Sequence, residues 1–124
     1  MNDDFLELLS ALLAAKTRFL VVGAYAVGVH GHPRATKDID VRVEGTPANA
    51  ECVIAALKVF GAPLGDLTKD DLSKPGTGFK MGTPPRRIDV LTQIDGLTFA
   101  QAWPNRLDAS FADNVVCPVI GSPI

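Results

Sequence analysis

Phe5, Leu8, Leu9 and Leu12, flanked by Leu6 and Leu13, recur at the spacing of one helical face, and Asn2 or Asp3 stands where it would cap the free amides of a first turn. The pattern predicts an amphipathic helix over residues 4–16. Phe19 to Val22 is a short, wholly apolar run of the kind a buried strand shows, and it leads into Gly23. The alanine-rich stretch 24–31 then reads as a helix that Gly31 stops and Pro33 keeps from continuing, with 32–37 as loop. Gly23 thus marks a strand, a tight turn and a helix N-terminus. Asp38-Ile39-Asp40-Val41-Arg42-Val43 alternates strictly between polar and apolar positions, the clearest strand signal in the chain. Thr46-Pro47 is a helix-start pair, and Val53, Ile54, Leu57 and Phe60 give a second packed helix over 48–60, closed by Gly61.

From Ala62 to Pro85 the chain is rich in Gly, Pro, Asp and Lys and reads as loop, with a helical turn near 69–73 and a brief strand near 79–81. Arg87 to Thr92 alternates again, Asp95-Gly96 is a hairpin-type turn, 99–103 makes one helical turn, and 115–120 is a last strand. Pro118 assigns that strand to a sheet edge, because proline cannot donate to a ladder. The expected architecture is α+β. A small mixed sheet forms from 18–22, 38–43, 87–92 and one or more edge strands, with helices 4–16, 24–31 and 48–60 mainly on one face and the other face open. Without an internal repeat or a linker, the 124 residues read as one domain, 1–124.

Composition narrows the picture. With 47% hydrophobic and 21% charged residues the chain is neither disordered, collagen-like nor a coiled coil. A net charge of −2 supplies no global field for nucleic acid or anionic membrane, so any polyanion site is local. Cys52 and Cys117 have neither zinc-site spacing nor the number for a disulfide framework, and read as buried thiols. An acidic N-terminus and the lack of an apolar run of about 18 residues lead us to expect a cytoplasmic chain with no membrane association. Dimerisation through the apolar first helix is left open.

Strand alternation puts Asp38 and Asp40 on one face and Ile39, Val41 and Val43 on the other, and it puts Asp89 opposite Ile88 and Val90. If the two strands pair, three carboxylates share a face, and a hard divalent cation with oxygen ligands, magnesium above all, is the usual way to neutralise them. An isolated Asp-x-Asp reads first as a solvated pair on an exposed sheet face. What changes its weight is Val22-Gly23-Ala24, thirteen residues (Tyr25 to Lys37) ahead of Asp38. Free amides at a helix N-terminus bind phosphate, and a glycine lets it approach the backbone closely.

On these residues the chain resembles the nucleotidyltransferase superfamily with the DNA polymerase β-like core. That family's signature is a hydrophobic residue, Gly, then Gly or Ser, a short spacer, and Asp, hydrophobic, Asp or Glu, hydrophobic. Here the positions are Val22, Gly23, Ala24, the spacer, and Asp38, Ile39, Asp40, Val41. The run from Val22 to Val41 is similar, more narrowly, to the small prokaryotic branch of minimal nucleotidyltransferases and AbiEii-type toxins, and Arg87-Ile88-Asp89-Val90-Leu91 stands where that branch has its third carboxylate. The resemblance covers most of residues 18–103. It implies the polymerase β-like fold and transfer of a nucleoside monophosphate from an NTP, ATP among them, to a hydroxyl on RNA, protein or a small molecule. Asp38, Asp40 and Asp89 would bind two Mg²⁺ ions, with Mn²⁺ as a substitute, and so act as catalytic residues. Gly23 with the amides of Ala24 and Tyr25 would hold the triphosphate, while Arg34 and Lys37 would neutralise phosphate charge and Thr36 would add a hydroxyl contact. The branch also implies an antitoxin-like protein partner.

Two departures define an alternative. Ala24 replaces the second Gly or Ser, and members of the branch often continue with a further strand and a basic helix beyond the point that Ile124 matches. Both favour a catalytically degenerate module that binds nucleotide or a partner. Metal-dependent phosphoester hydrolysis is a third reading, which leaves the glycine turn unexplained. The remaining signals are plainer. His30 and His32 straddle a helix end, Arg86 and Arg87 read as a solvated turn or a groove lining, Trp103 reads as a core or interface anchor, and Gly76-Thr77-Gly78 lacks the Walker spacing and reads as a flexible loop.

Overall fold

A computed structural model of the chain describes residues 3–23, 38–82, 87–92 and 98–121. The first helix, α1 (Asp3–Ala14), buries Phe5, Leu8, Leu9 and Leu12 and sets Asp3 and Asp4 in its first turn, where negative charge is favoured. It ends two residues short of the boundary at 16 that the sequence predicts. Lys16 turns left-handed at φ 58°, its N–H donates to Leu13 O and that of Thr17 to Leu12 O, which closes the helix in a Schellman arrangement without a glycine.

Strand β1 (Phe19–Val22) runs antiparallel to β2 (Ile39–Val43), which runs parallel to β4 (Ile88–Leu91), and β4 carries the edge strand β3 (Gly78–Met81) antiparallel to it. On the other side β1 meets β6 (Val115–Val119) in parallel, and β6 pairs antiparallel with β5 (Leu107–Ala112). The six strands form one mixed sheet in the order β3-β4-β2-β1-β6-β5, and with its helices the chain is an α+β fold. Its main core joins α1 and α2 (Pro47–Phe60) to one face of that sheet, through Phe19, Val21, Ile39, Val41, Val43, Ile88, Val90, Cys117 and Val119. The Thr46 hydroxyl caps α2 from Asn49 N–H, and Gly61 at φ 91° ends it, as the sequence predicts. Between α2 and β3 lies the short α3 (Lys69–Leu72), held by a Thr68–Asp71 capping box.

Three expectations are corrected. The strand with Pro118 is not an edge: β6 lies inside the sheet, and the edge on that side is β5, which local pattern did not predict. N–H groups alternate sides along a strand, so Pro118 faces the same way as Ile120, whose N–H donates to Val21 O. The missing donor therefore falls toward β1, where the ladder is a single register pair, Val21 with Val119. Nor is the second face wholly open. Helix α4 (Phe99–Ala102) and the 3₁₀ turn Trp103–Asn105 cover one end, packing Phe99 and Ala102 on Leu20 and Val22. Cys52 is half-buried rather than buried. The expected helix 24–31, the loop 32–37 and the Asp95-Gly96 turn lie outside the described residues.

Asn49 is the bolt between layers. Its Nδ2 donates to Arg18 O (3.0 Å) and Glu44 O (2.9 Å), and its Oδ1 accepts from Arg18 N (2.7 Å), so one buried amide ties the start of α2 to β1 and to the end of β2. Asn49→Ala leaves the Arg18 N–H without its partner, while Arg18 O keeps the N–H of Glu44 and Glu44 O that of Thr46, and it is expected to cost about 1–3 kcal/mol, read as a lower urea midpoint with an unchanged slope.

Candidate functional site

The pairing of β2 with β4 decides which side chains meet. Asp40 stands at register with Asp89 and with Val22 of β1, and Asp89 with Lys80 of β3, so Val22, Asp40, Asp89 and Lys80 form one row across the sheet. The next row is Leu20, Arg42, Leu91 and Gly78. Apolar partners on the opposite face hold this register, because a slip of one residue would turn Ile39 and Val41 out of the core and the carboxylates into it.

Two carboxylates on neighbouring strands repel, and the chemistry of the pair shows it. Burial above all, then hydrogen bonding of its protonated form to Asp89 and the negative charges of Asp89 and Asp38, push the Asp40 carboxyl up to about 6, against the opposing pull of Arg87. Asp89 Oδ1 is buried and has no hydrogen-bond partner among the described residues. A raised carboxyl beside an orphaned carboxylate oxygen is a donor set that fits a hard divalent cation. Asp38 is placed differently. Its Oδ2 accepts from Nη2 of Arg87 at 3.1 Å, and among the described residues no three His, Cys, Asp or Glu side chains gather around one point. The structure thus brings Asp40 and Asp89 together and leaves Asp38 in an ion pair at the rim.

Gly23 follows β1 directly and turns left-handed at φ 72°. A Cβ built on it would overlap Oδ2 of Asp40 and lie 3.2 Å from Cγ and 3.3 Å from Cβ of the same residue. The glycine is required twice, by its backbone angle and by the carboxylate packed against it. Ala24, Tyr25, Arg34, Thr36 and Lys37, with His30, His32 and Arg86, lie outside the described residues.

Strand alternation missed two residues of this face. Lys80 follows from the short strand expected near 79–81, but its place beside Asp89 needs the β3–β4 register. Arg42 reads in sequence as one more wet position, yet it is only 2% exposed. It packs under the Phe99 ring, 5.9 Å from the centroid, with Nε and Nη1 buried and without hydrogen-bond partners among the described residues. Burial pulls its guanidinium below the ordinary range, and an unpaired buried charge of this kind costs several kcal/mol. Trp103, half-buried, stacks on Phe99 at 5.4 Å and has the guanidinium groups of Arg18 (4.8 Å) and Arg106 (4.1 Å) over its ring, an anchor for the covered end as the sequence suggests. Thr77 of the Gly-Thr-Gly run is pinned to the end of β4, donating from N to Thr92 Oγ1 (2.8 Å) and accepting from Thr92 N (2.9 Å), so it serves as strand entry.

No helix among the described residues is long and apolar enough to cross a membrane. Compared with models of protein families and with curated proteins, the chain matches none.

Proposed function

We propose that this chain is a nucleotidyltransferase of the polymerase β-like kind, which moves a nucleoside monophosphate from an NTP to a hydroxyl acceptor on RNA, protein or a small molecule. The observation that carries this reading is the facing register of Asp40 and Asp89 beside the glycine turn that ends β1. Mg²⁺ held by these carboxylates would stabilise charge on the attacking and leaving oxygens. Asp40 and Asp89 supply its oxygen ligands. Asp38 adds negative charge at the rim, where Arg87 orients it. Gly23, having no side chain, lets the backbone at the end of β1 lie against the Asp40 carboxylate. The acceptor, and with it a role in a toxin–antitoxin pair, is read out by the same experiment as the activity.

That experiment is Mg²⁺-dependent release of pyrophosphate from each of the four α-³²P-labelled NTPs, with total RNA and cell lysate as acceptors and Asp89→Asn as the control. Label that moves to an acceptor only with intact Asp89 is the expected result. Turnover to water alone would replace transfer by hydrolysis. One observation favours a second reading, a nucleotide- or partner-binding module without turnover: Asp38 is engaged by Arg87 rather than gathered with the other two carboxylates. In that case nucleotide binds, Asp89→Asn weakens it, and no pyrophosphate appears.

A further inference from the structure

Arg42 carries a charge into the second face of the sheet and meets no counter-charge there among the described residues. Leu20 and Leu91 flank it in register, Phe99 covers it, and none of the ion pairs among the described residues includes it. Two of its nitrogens are buried donors without acceptors among those residues. Such a group is costly to keep, and an apolar side chain of similar length would fill the same space among Leu20, Leu91 and Phe99 without that cost. What the guanidinium offers instead is a planar fork of donors that matches an oxyanion. It sits on β2 two residues past Asp40, about 6–7 Å along the strand and on the same face.

We infer that Arg42 is a phosphate-binding residue: its unpartnered donors, sealed beneath Phe99 in this structure, receive a phosphate group of the ligand that occupies the face of Asp40 and Asp89 when the α4 cover shifts. A polyphosphate lying along β2 would then have a cation on the carboxylates at one end and the guanidinium at the other. That it belongs to a nucleotide rests on the proposed function. That a phosphate binds at Arg42 does not.

The test is thermal unfolding of the whole chain at neutral pH in excess chelator, with and without inorganic pyrophosphate, for wild type, Arg42→Met and Arg42→Lys, at ionic strength matched with chloride. The expected result has three parts. Pyrophosphate raises the wild-type midpoint by several degrees in a saturable way, because a ligand that binds only the folded state stabilises it. Arg42→Met unfolds at a higher temperature than wild type without ligand and shows no pyrophosphate-dependent rise. Arg42→Lys keeps part of the rise, as a point charge without the fork should. An equal rise in wild type and Arg42→Met, or none in wild type, overturns the inference. So does an Arg42→Met protein less stable than wild type, which makes the guanidinium a structural prop for Phe99. Because metal is chelated and no transfer is measured, a chain that never releases pyrophosphate from NTPs can still pass this test, and an active one can fail it.

Discussion

Asp40→Asn is expected to lower pyrophosphate release by about 10³-fold, the rate equivalent of about 4 kcal/mol, and at the same time to make the metal-free protein more stable at neutral pH. The loss follows from removing one charged oxygen ligand of the pair. The gain follows from the carboxyl being pushed up to about 6 in the folded chain from an ordinary 3.8. Below pH 4 both folded and unfolded chains hold the proton, and Asp40 has no effect on stability. Between pH 4 and 6 the unfolded chain ionises first, so the wild type loses stability as pH rises, and above 6 the loss is complete, up to about 3 kcal/mol. The asparagine has no such transition and retains a hydrogen-bonding group toward Asp89. Urea unfolding in chelator from pH 4 to 7 therefore shows a falling curve for wild type and a flatter one for Asp40→Asn. Parallel curves would remove Asp40 from the repelling pair, and an unfolded variant would show that the residue holds the fold together.

Gly23→Ala is the second large effect, an expected loss of about 2–4 kcal/mol together with the site. A left-handed alanine costs roughly 1–2 kcal/mol on its own account. The rest comes from the overlap of its Cβ with the Asp40 carboxylate, which has to swing away or shift β2. These two parts separate in a double-mutant cycle. In Asp40→Ala the carboxylate is gone and only the 3.3 Å approach of the two Cβ atoms remains, so adding Gly23→Ala there should cost the backbone part and little more, leaving a coupling of about 1 kcal/mol or more. Additive losses in urea would mean that the two residues do not touch.

Much of this follows from local pattern. The Thr46–Pro47 start and Gly61 stop of α2 are short-range events, governed by residues within a turn of each other, whereas the left-handed Lys16 that ends α1 carries no such signal and the pattern predicts a helix reaching residue 16. The alternation over 38–43 and 87–92 separates core from wet face in the same way, since it depends only on the pleat. The edge strand β5 escaped because its alternation is weak, its residues are half-buried or exposed, and its pairing with β6 around the left-handed Asn114 is what makes it a strand. Pro118 misled for a related reason, because a missing donor excludes one side of a ladder and not a place in the sheet order.

The sequence by itself determined which residue types lie on which side of β2 and β4, and so that Asp38, Asp40 and Asp89 stand clear of the core with a glycine turn ahead of them. Only the tertiary structure decided which of them meet. The parallel register of β2 with β4 puts Asp40 against Asp89 while Arg87 takes Asp38, and α4 closes over Arg42, a residue whose alternation pattern marks it as exposed. Pleat and turn chemistry act between neighbours along the chain, whereas register, the approach of Gly23 to Asp40 and the burial of a charge arise between segments far apart in it, set by how one shared core packs.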